Sequence, residues 1–226
     1  MITTVDVETS WQKTDTGGYD PSPFHPDNVL VSVGLHSNYG DEYYFTGHSE
    51  RVSKGGKARI QEVLDETTLL VGHNIKFDLM WLLESGLEYT GRVYDTMLGE
   101  YILNRGVRKS LTLEMCCRDR DIGSKDDAIK EWMDRGISFE NIPADIVEKY
   151  GRMDVEITRK LFDAQMADFG SLEHKNLLTT AKTMNEFLVV LSDMERNGIK
   201  INLEELFKVE KEYRAEHKYL EQKIDK

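Results

Sequence analysis

The sequence predicts an α/β domain that opens with a β-hairpin arrangement and is followed by a C-terminal helical extension. Three observations predict it. Short β-branched or alternating segments crowd the first hundred residues, helical periods fill the rest, and 226 residues suit one large domain or one domain with an appendage.

Residues 2–8 (Ile-Thr-Thr-Val-Asp-Val-Glu) are rich in β-branched side chains and read as a strand. Residues 10–27 hold Pro21, Pro23, Pro26 and Gly17-Gly18, and read as a loop. Residues 29–36 alternate through Val29, Val31, Val33 and Leu35, a second strand. A turn at 38–41 leads into a third strand at Tyr43-Tyr44-Phe45, completing a hairpin. A helical period covers 50–66 through Ile60, Val63 and Leu64. Leu69-Leu70-Val71 is a short buried strand, 76–84 a helix stopped by Gly86, and Val93-Tyr94 a strand followed by a helix through Leu103. Further helices are expected over 111–118, 126–134, 143–167 and 172–197, with Pro143 in a first turn and Gly198 as a stop. Asn202 and Glu205 form a capping box for a last, strongly charged helix. The α/β module is expected over 1–168 and the helical segment over 169–226.

The net charge of −12 speaks against a broad duplex-binding surface, which needs clustered Lys and Arg. It is compatible with a small site in which carboxylates hold divalent cations and the cations attract phosphate. The apolar runs, such as Phe187-Leu188-Val189-Val190-Leu191, fall far short of the ~20 residues of a membrane span. No charged segment followed by an apolar stretch opens the chain. No membrane association and a cytoplasmic location are therefore expected. Adjacent Cys116 and Cys117 read as reduced thiols, because two soft ligands are too few for structural zinc.

Three clusters carry chemistry. Asp6 and Glu8 stand two apart on a strand, so both project from one face. Crowded carboxylates repel, and a divalent cation relieves the repulsion; taken alone, the pair reads first as a solvated strand face. The second cluster is Gly72-His73-Asn74-Ile75-Lys76-Phe77-Asp78, where a strand passes into a helix. Asn74 and Asp78 are four apart and share a side of the first turn, with Gly72 letting the backbone turn. Alone, this reads first as an Asn cap with an exposed acid, and His73 as a turn residue rather than a ligand. The third is Tyr150-Gly151-Arg152-Met153-Asp154, whose Tyr150 and Asp154 project from one helix face and, taken alone, read as a Tyr packed beside a surface acid.

The order, spacing and element types of the three clusters resemble the DEDD superfamily of 3′→5′ exonucleases, in its tyrosine subclass. Asp6 and Glu8 match its first motif, Asn74 and Asp78 its second, Tyr150 and Asp154 its third. The histidine subclass would place a histidine where Lys149 stands. Tyr94-Asp95-Thr96-Met97-Leu98 with Tyr101-Ile102-Leu103 is similar to the segment after the second motif in proofreading domains of family A (polymerase I-like) DNA polymerases, of bacterial or phage type. The stretch from Leu191 to Asn202 resembles the junction into the polymerase region.

The resemblance implies a ribonuclease H-like fold, with a central mixed β-sheet flanked by helices. It implies hydrolysis at single-stranded DNA 3′ ends with release of nucleoside monophosphates, using two divalent ions, Mg²⁺ or Mn²⁺, held by Asp6, Glu8, Asp78 and Asp154. Asp6 would bridge both ions, Glu8 and Asp154 would complete one, and Asp78 would support the other through waters. Tyr150 would orient the attacking water; Thr9 and Asn74 would contact the terminal nucleotides. Asp95 would be structural or would support the metal-holding residues from behind, and would not itself be a metal ligand. A polymerase domain is expected to follow in the full-length protein. Two alternatives remain open: a ribonuclease D-like RNA exonuclease, and a DNA-binding module that has lost the reaction.

Overall fold

The computed structural model describes residues 1–37, 40–45, 54–107, 110–123 and 128–224. These form two compact units, Met1–Ser192 and Asp193–Lys226. The first is built on a five-stranded mixed sheet. Its strands, in chain order, are β1 (Ile2–Thr9), β4 (Leu30–Ser37), β5 (Gly40–Phe45), β6 (Leu69–Gly72) and β7 (Arg92–Asp95), arranged β5-β4-β1-β6-β7. β4 pairs antiparallel with both β1 and β5, while β1, β6 and β7 run parallel. The expected hairpin is thus present, and residues 38–39 of its turn lie outside the described residues.

The loop expected over 10–27 contains a small hairpin, β2 (Gln12–Lys13) with β3 (Tyr19–Asp20). Trp11 and Tyr19 close it with rings 4.0 Å apart. The Gly17-Gly18 pair supplies its turn, with Gly17 at φ 82°. Aromatic contact across the turn outweighs the proline-rich composition that reads as unstructured.

Helices α1 (Lys54–Glu66) and α2 (Ile75–Glu84) bury Ile60, Val63, Leu64, Ile75, Leu79 and Leu82 with Val5, Val7, Val33, Leu35 and Leu70. Residues 50–53 of the expected first helix lie outside the described residues. Alternation along β1 directs Val5 and Val7 into this cluster, where each buried aliphatic side chain stabilises by about 1.5–3 kcal/mol. α3 (Thr96–Leu103) follows β7 directly, and α4 (Leu113–Asp119) is capped by the Thr112 hydroxyl, which accepts from Met115 N. Cys116 and Cys117 are thiols outside any disulfide, buried with Leu113, Ile157 and Leu161. α5 (Ala128–Asp134) and a short 3-10 turn (Phe139–Asn141) precede α6 (Ala144–Gly170), which has Pro143 at its N-cap.

α6 packs across β1 and β4. Its inward face buries Val147, Asp154, Val155, Leu161, Phe162, Gln165 and Phe169. A polar knot ties it to α3 and the end of α4. Glu100, 3% exposed, receives Arg120 Nε at 3.1 Å, Gln165 Nε2 at 3.0 Å and Asn104 Nδ2 at 2.9 Å, while Arg120 also donates to Asp168. α7 (Leu177–Asn197) buries Ala181, Asn185, Leu188 and Ser192, and ends at Gly198, φ 66°. α8 (Leu203–Ile224) is capped by Asn202, whose Oδ1 accepts from Glu204 N and Glu205 N, and it buries no residue. No helix among the described residues is long and apolar enough to cross a membrane.

Candidate active site

The strand face opposite Val5 and Val7 carries Asp6 and Glu8, and α6 lies over β1. The result is a carboxylate triangle: ligand oxygens of Asp6, Glu8 and Asp154 all lie within 4.8 Å of one another. Glu8 is 6% exposed and Asp154 2%, whereas Asp6 is half-buried. Oxygens on opposite sides of a Mg²⁺-sized ion sit about 4.2 Å apart, given bond lengths of ~2.1 Å. Only one pair among three donors can stand opposite across an ion, so the triangle must draw in to share one cation, and its all-oxygen anionic set is the kind that hard divalent ions take.

Asp78 stands beside the triangle, and its position follows from unequal strand lengths. β6 pairs with β1 only through Ile2, Thr3 and Thr4, and ends at Gly72. Among the described residues, no strand pairs with the Val7 amide, farther along β1, on that side. The Asp78 carboxylate fills the gap, with Oδ1 accepting from Val7 N at 3.0 Å. Asp78 therefore bonds the backbone between Asp6 and Glu8. It is 4% exposed, and burial, with the Asp6 charge adding to it, pushes its carboxyl well above the usual range. A buried acid crowded by another acid is what a nearby cation would relieve.

The turn that delivers α2 differs from expectation in one detail. The left-handed residue is Asn74, at φ 64° and ψ 43°, not Gly72. Asn accepts that conformation more readily than other side chains. Gly72 contributes by lacking a Cβ, which would come within 3.0 Å of the Ile75 side chain. Asn74 occupies the N-cap, yet its exposed side chain makes no capping bond.

Tyr150 lies one turn before Asp154 on α6, half-buried, its ring 6.1 Å from that of Phe139. Thr9 is buried and follows a register shift between Glu8 and Thr9.

Asp95 is structural, in a larger way than expected. Its Oδ1 accepts from Met97 N at 2.8 Å, capping α3, and from Asn74 N at 2.9 Å, holding the start of α2. Its own amide donates to Asn185 Oδ1 on α7 at 2.6 Å. Asp-Thr at a strand–helix junction signals the cap; nothing local signals a partner 90 positions away.

Burial raises the Asp95 carboxyl to about 6 against the pull of these amides. An unfolded aspartate titrates near ~3.9. The folded state thus binds the proton more tightly, adding stability that is complete below ~3.9 and lost as pH rises through about 6. Asp95→Ala is expected to cost about 1 kcal/mol from the lost cap. Its deficit against the parent should be wider near about pH 4.5 than near about pH 7 in urea unfolding; equal deficits would show that burial does not govern this carboxyl.

The family model described as 3′–5′ exonuclease matches residues 29–167, a span that includes Asp78, Tyr150 and Asp154 and begins after Asp6 and Glu8. A DNA polymerase of Bacillus phage SP01 is 28% identical over 214 residues, which cover 89% of this chain and 23% of that protein. The chain therefore spans about a quarter of that relative's length. Among solved structures, Brucella melitensis NrnC with bound Mg²⁺ matches with a TM-score of 0.63 at 15% identity, over 87% of this chain and 86% of the other. The POL domain of Pol1 from M. smegmatis, in complex with DNA primer-template and dNTP, matches with a TM-score of 0.64 at 16% identity, over 94% of this chain and 31% of the other. At such identities these likenesses establish the fold, a mixed sheet flanked by helices of the ribonuclease H type expected from the sequence. The matched family segment covers more than half of the residues, and the chain belongs to the 3′–5′ exonuclease family.

Proposed function

We propose that the chain is the proofreading part of a family A DNA polymerase, removing nucleoside monophosphates from single-stranded DNA 3′ ends. In this reading residues 1–168 form the exonuclease domain and 169–226 lead toward a polymerase region. The observation that carries it is the triangle of Asp6, Glu8 and Asp154 with buried Asp78 bonded between the first two.

Phosphodiester hydrolysis must stabilise an incoming oxygen and a leaving 3′-oxygen together. Two divalent cations, Mg²⁺ or Mn²⁺, would supply that charge stabilisation and lower the pKa of water. Asp6, Glu8 and Asp154 would hold one ion, with Asp6 also facing the second and Asp78 supporting it through water. Tyr150 would orient the attacking water. A phenol with a free pKa of about 10 is a poor base at neutral pH. Thr9 and Asn74 would contact the terminal nucleotides, Asn74 through the amide that it does not use for capping.

The test is a 5′-labelled single-stranded DNA oligonucleotide incubated with Mg²⁺. A ladder shortening from the 3′ end, with mononucleotides as product, supports the reading. Faster trimming of a matched RNA would replace it with the ribonuclease D-like alternative, and no Mn²⁺ binding at millimolar concentration would favour an inactive DNA-binding module. Tyr150→Phe is expected to slow turnover about tenfold, the worth of one hydrogen bond to the attacking water, with Mn²⁺ affinity unchanged. Unaltered turnover would remove the water-orienting role.

A further inference from the structure

His73 enters none of the roles above, and its surroundings are specific. Both ring nitrogens are bonded: Nε2 lies 2.7 Å from the Leu111 carbonyl oxygen, and Nδ1 2.9 Å from Thr96 Oγ1. A carbonyl only accepts, so Nε2 carries a proton, and no lone pair remains there for a metal. The Thr96 hydroxyl, fully buried, also stands 3.1 Å from the Gly72 carbonyl, and its single proton is shared between that oxygen and Nδ1. With Asn74 N donating to Asp95 Oδ1, every residue of the turn Gly72-His73-Asn74 is fastened to the Asp95-Thr96 junction. His73 adds the segment before α4 through Leu111.

We propose that His73 is a positioning residue whose bonds to Thr96 and Leu111 hold Asn74 in its left-handed conformation, with its amide presented to the 3′-terminal nucleotide. This rests on the reading of Asn74 as a nucleotide contact. A non-glycine residue in that conformation persists where its surroundings over-determine it. An Asn at an N-cap ordinarily turns its side chain back onto the free amides of the first turn; Asn74 does not. The fastened turn withholds the ordinary cap. Released, Asn74 relaxes into that cap and turns away from substrate, while Asp78, anchored to Val7 N, stays.

The experiment compares His73→Ala, Thr96→Val, Thr96→Ser and Asn74→Ala in steady-state exonuclease assays on the DNA oligonucleotide. Mn²⁺ titration calorimetry and thermal melts are run beside them. Thr96→Val removes the shared hydroxyl at nearly constant volume and stands in should His73→Ala fail to fold. The expected result is a KM raised about tenfold in His73→Ala, Thr96→Val and Asn74→Ala, with kcat within about twofold and Mn²⁺ affinity unchanged. Thr96→Ser restores the parent KM, and Thr96→Val combined with Asn74→Ala is no worse than Asn74→Ala alone. A raised KM in Asn74→Ala with parental KM in His73→Ala and Thr96→Val overturns the inference and leaves the contact role of Asn74 standing. A parental KM in Asn74→Ala overturns both. Full additivity in the double variant shows that the turn acts by another route, and overturns it too.

Discussion

Replacing Asp6 and Glu8 together by alanine is expected to abolish Mg²⁺- or Mn²⁺-dependent trimming of DNA 3′ ends, a loss of more than about 10³-fold, while the protein stays folded. Losing one preorganised charge stabiliser commonly costs about 10²–10³ in turnover; here two of the three triangle carboxylates go at once. Stability should hold, because neither side chain belongs to the apolar cluster built on Val5 and Val7. It should even rise slightly, since the Asp6 charge is one of the causes that push the Asp78 carboxyl upward. Calorimetry should show Mn²⁺ binding lost with the activity. Full activity in a double variant with a parental melt would sink the assignment of the site.

The largest stability effect is expected at Arg120. Truncation to alanine removes the Arg120 guanidinium from buried Glu100, while the Gln165 and Asn104 amides still donate to it. Stranding a buried charge costs about 3–5 kcal/mol, and the lower end applies here because those amides remain. Glu100→Ala should cost less, because Arg120 keeps Asp168 at 2.7 Å and is itself partly open to water. The comparison is made by urea unfolding of both variants. A larger loss in Glu100→Ala would mean that the knot stabilises through packing, not through charge pairing.

The sequence carried much of this fold because its strongest signals are local. β1 is legible from a run of β-branched residues, α2 and α7 from period and a glycine stop, and α8 from its cap. The acids are legible as a set only through their order, since each alone has an ordinary explanation. What stayed hidden depends on relations between elements. That Asp78 bonds Val7 N follows from β6 being shorter than β1, which no window of residues around Asp78 contains. Arg120 meets Asp168 across 48 positions, again with no local trace. The hairpin inside 10–27 was masked by its prolines, although Trp11 and Tyr19 flank the glycine pair that turns it.

One amide deserves a use of its own. The Val7 N–H sits in the backbone between Asp6 and Glu8 and points at the oxygen of Asp78 instead of at a neighbouring strand. Its proton resonance is therefore a built-in spectroscopic probe of the centre. It moves when that carboxylate gains a proton, rotates or is drawn toward an ion, while the amides of β1 that face β4 keep their strand partners. A single backbone signal can thus follow the loading of the site in the unmodified protein, with no label placed among the acids.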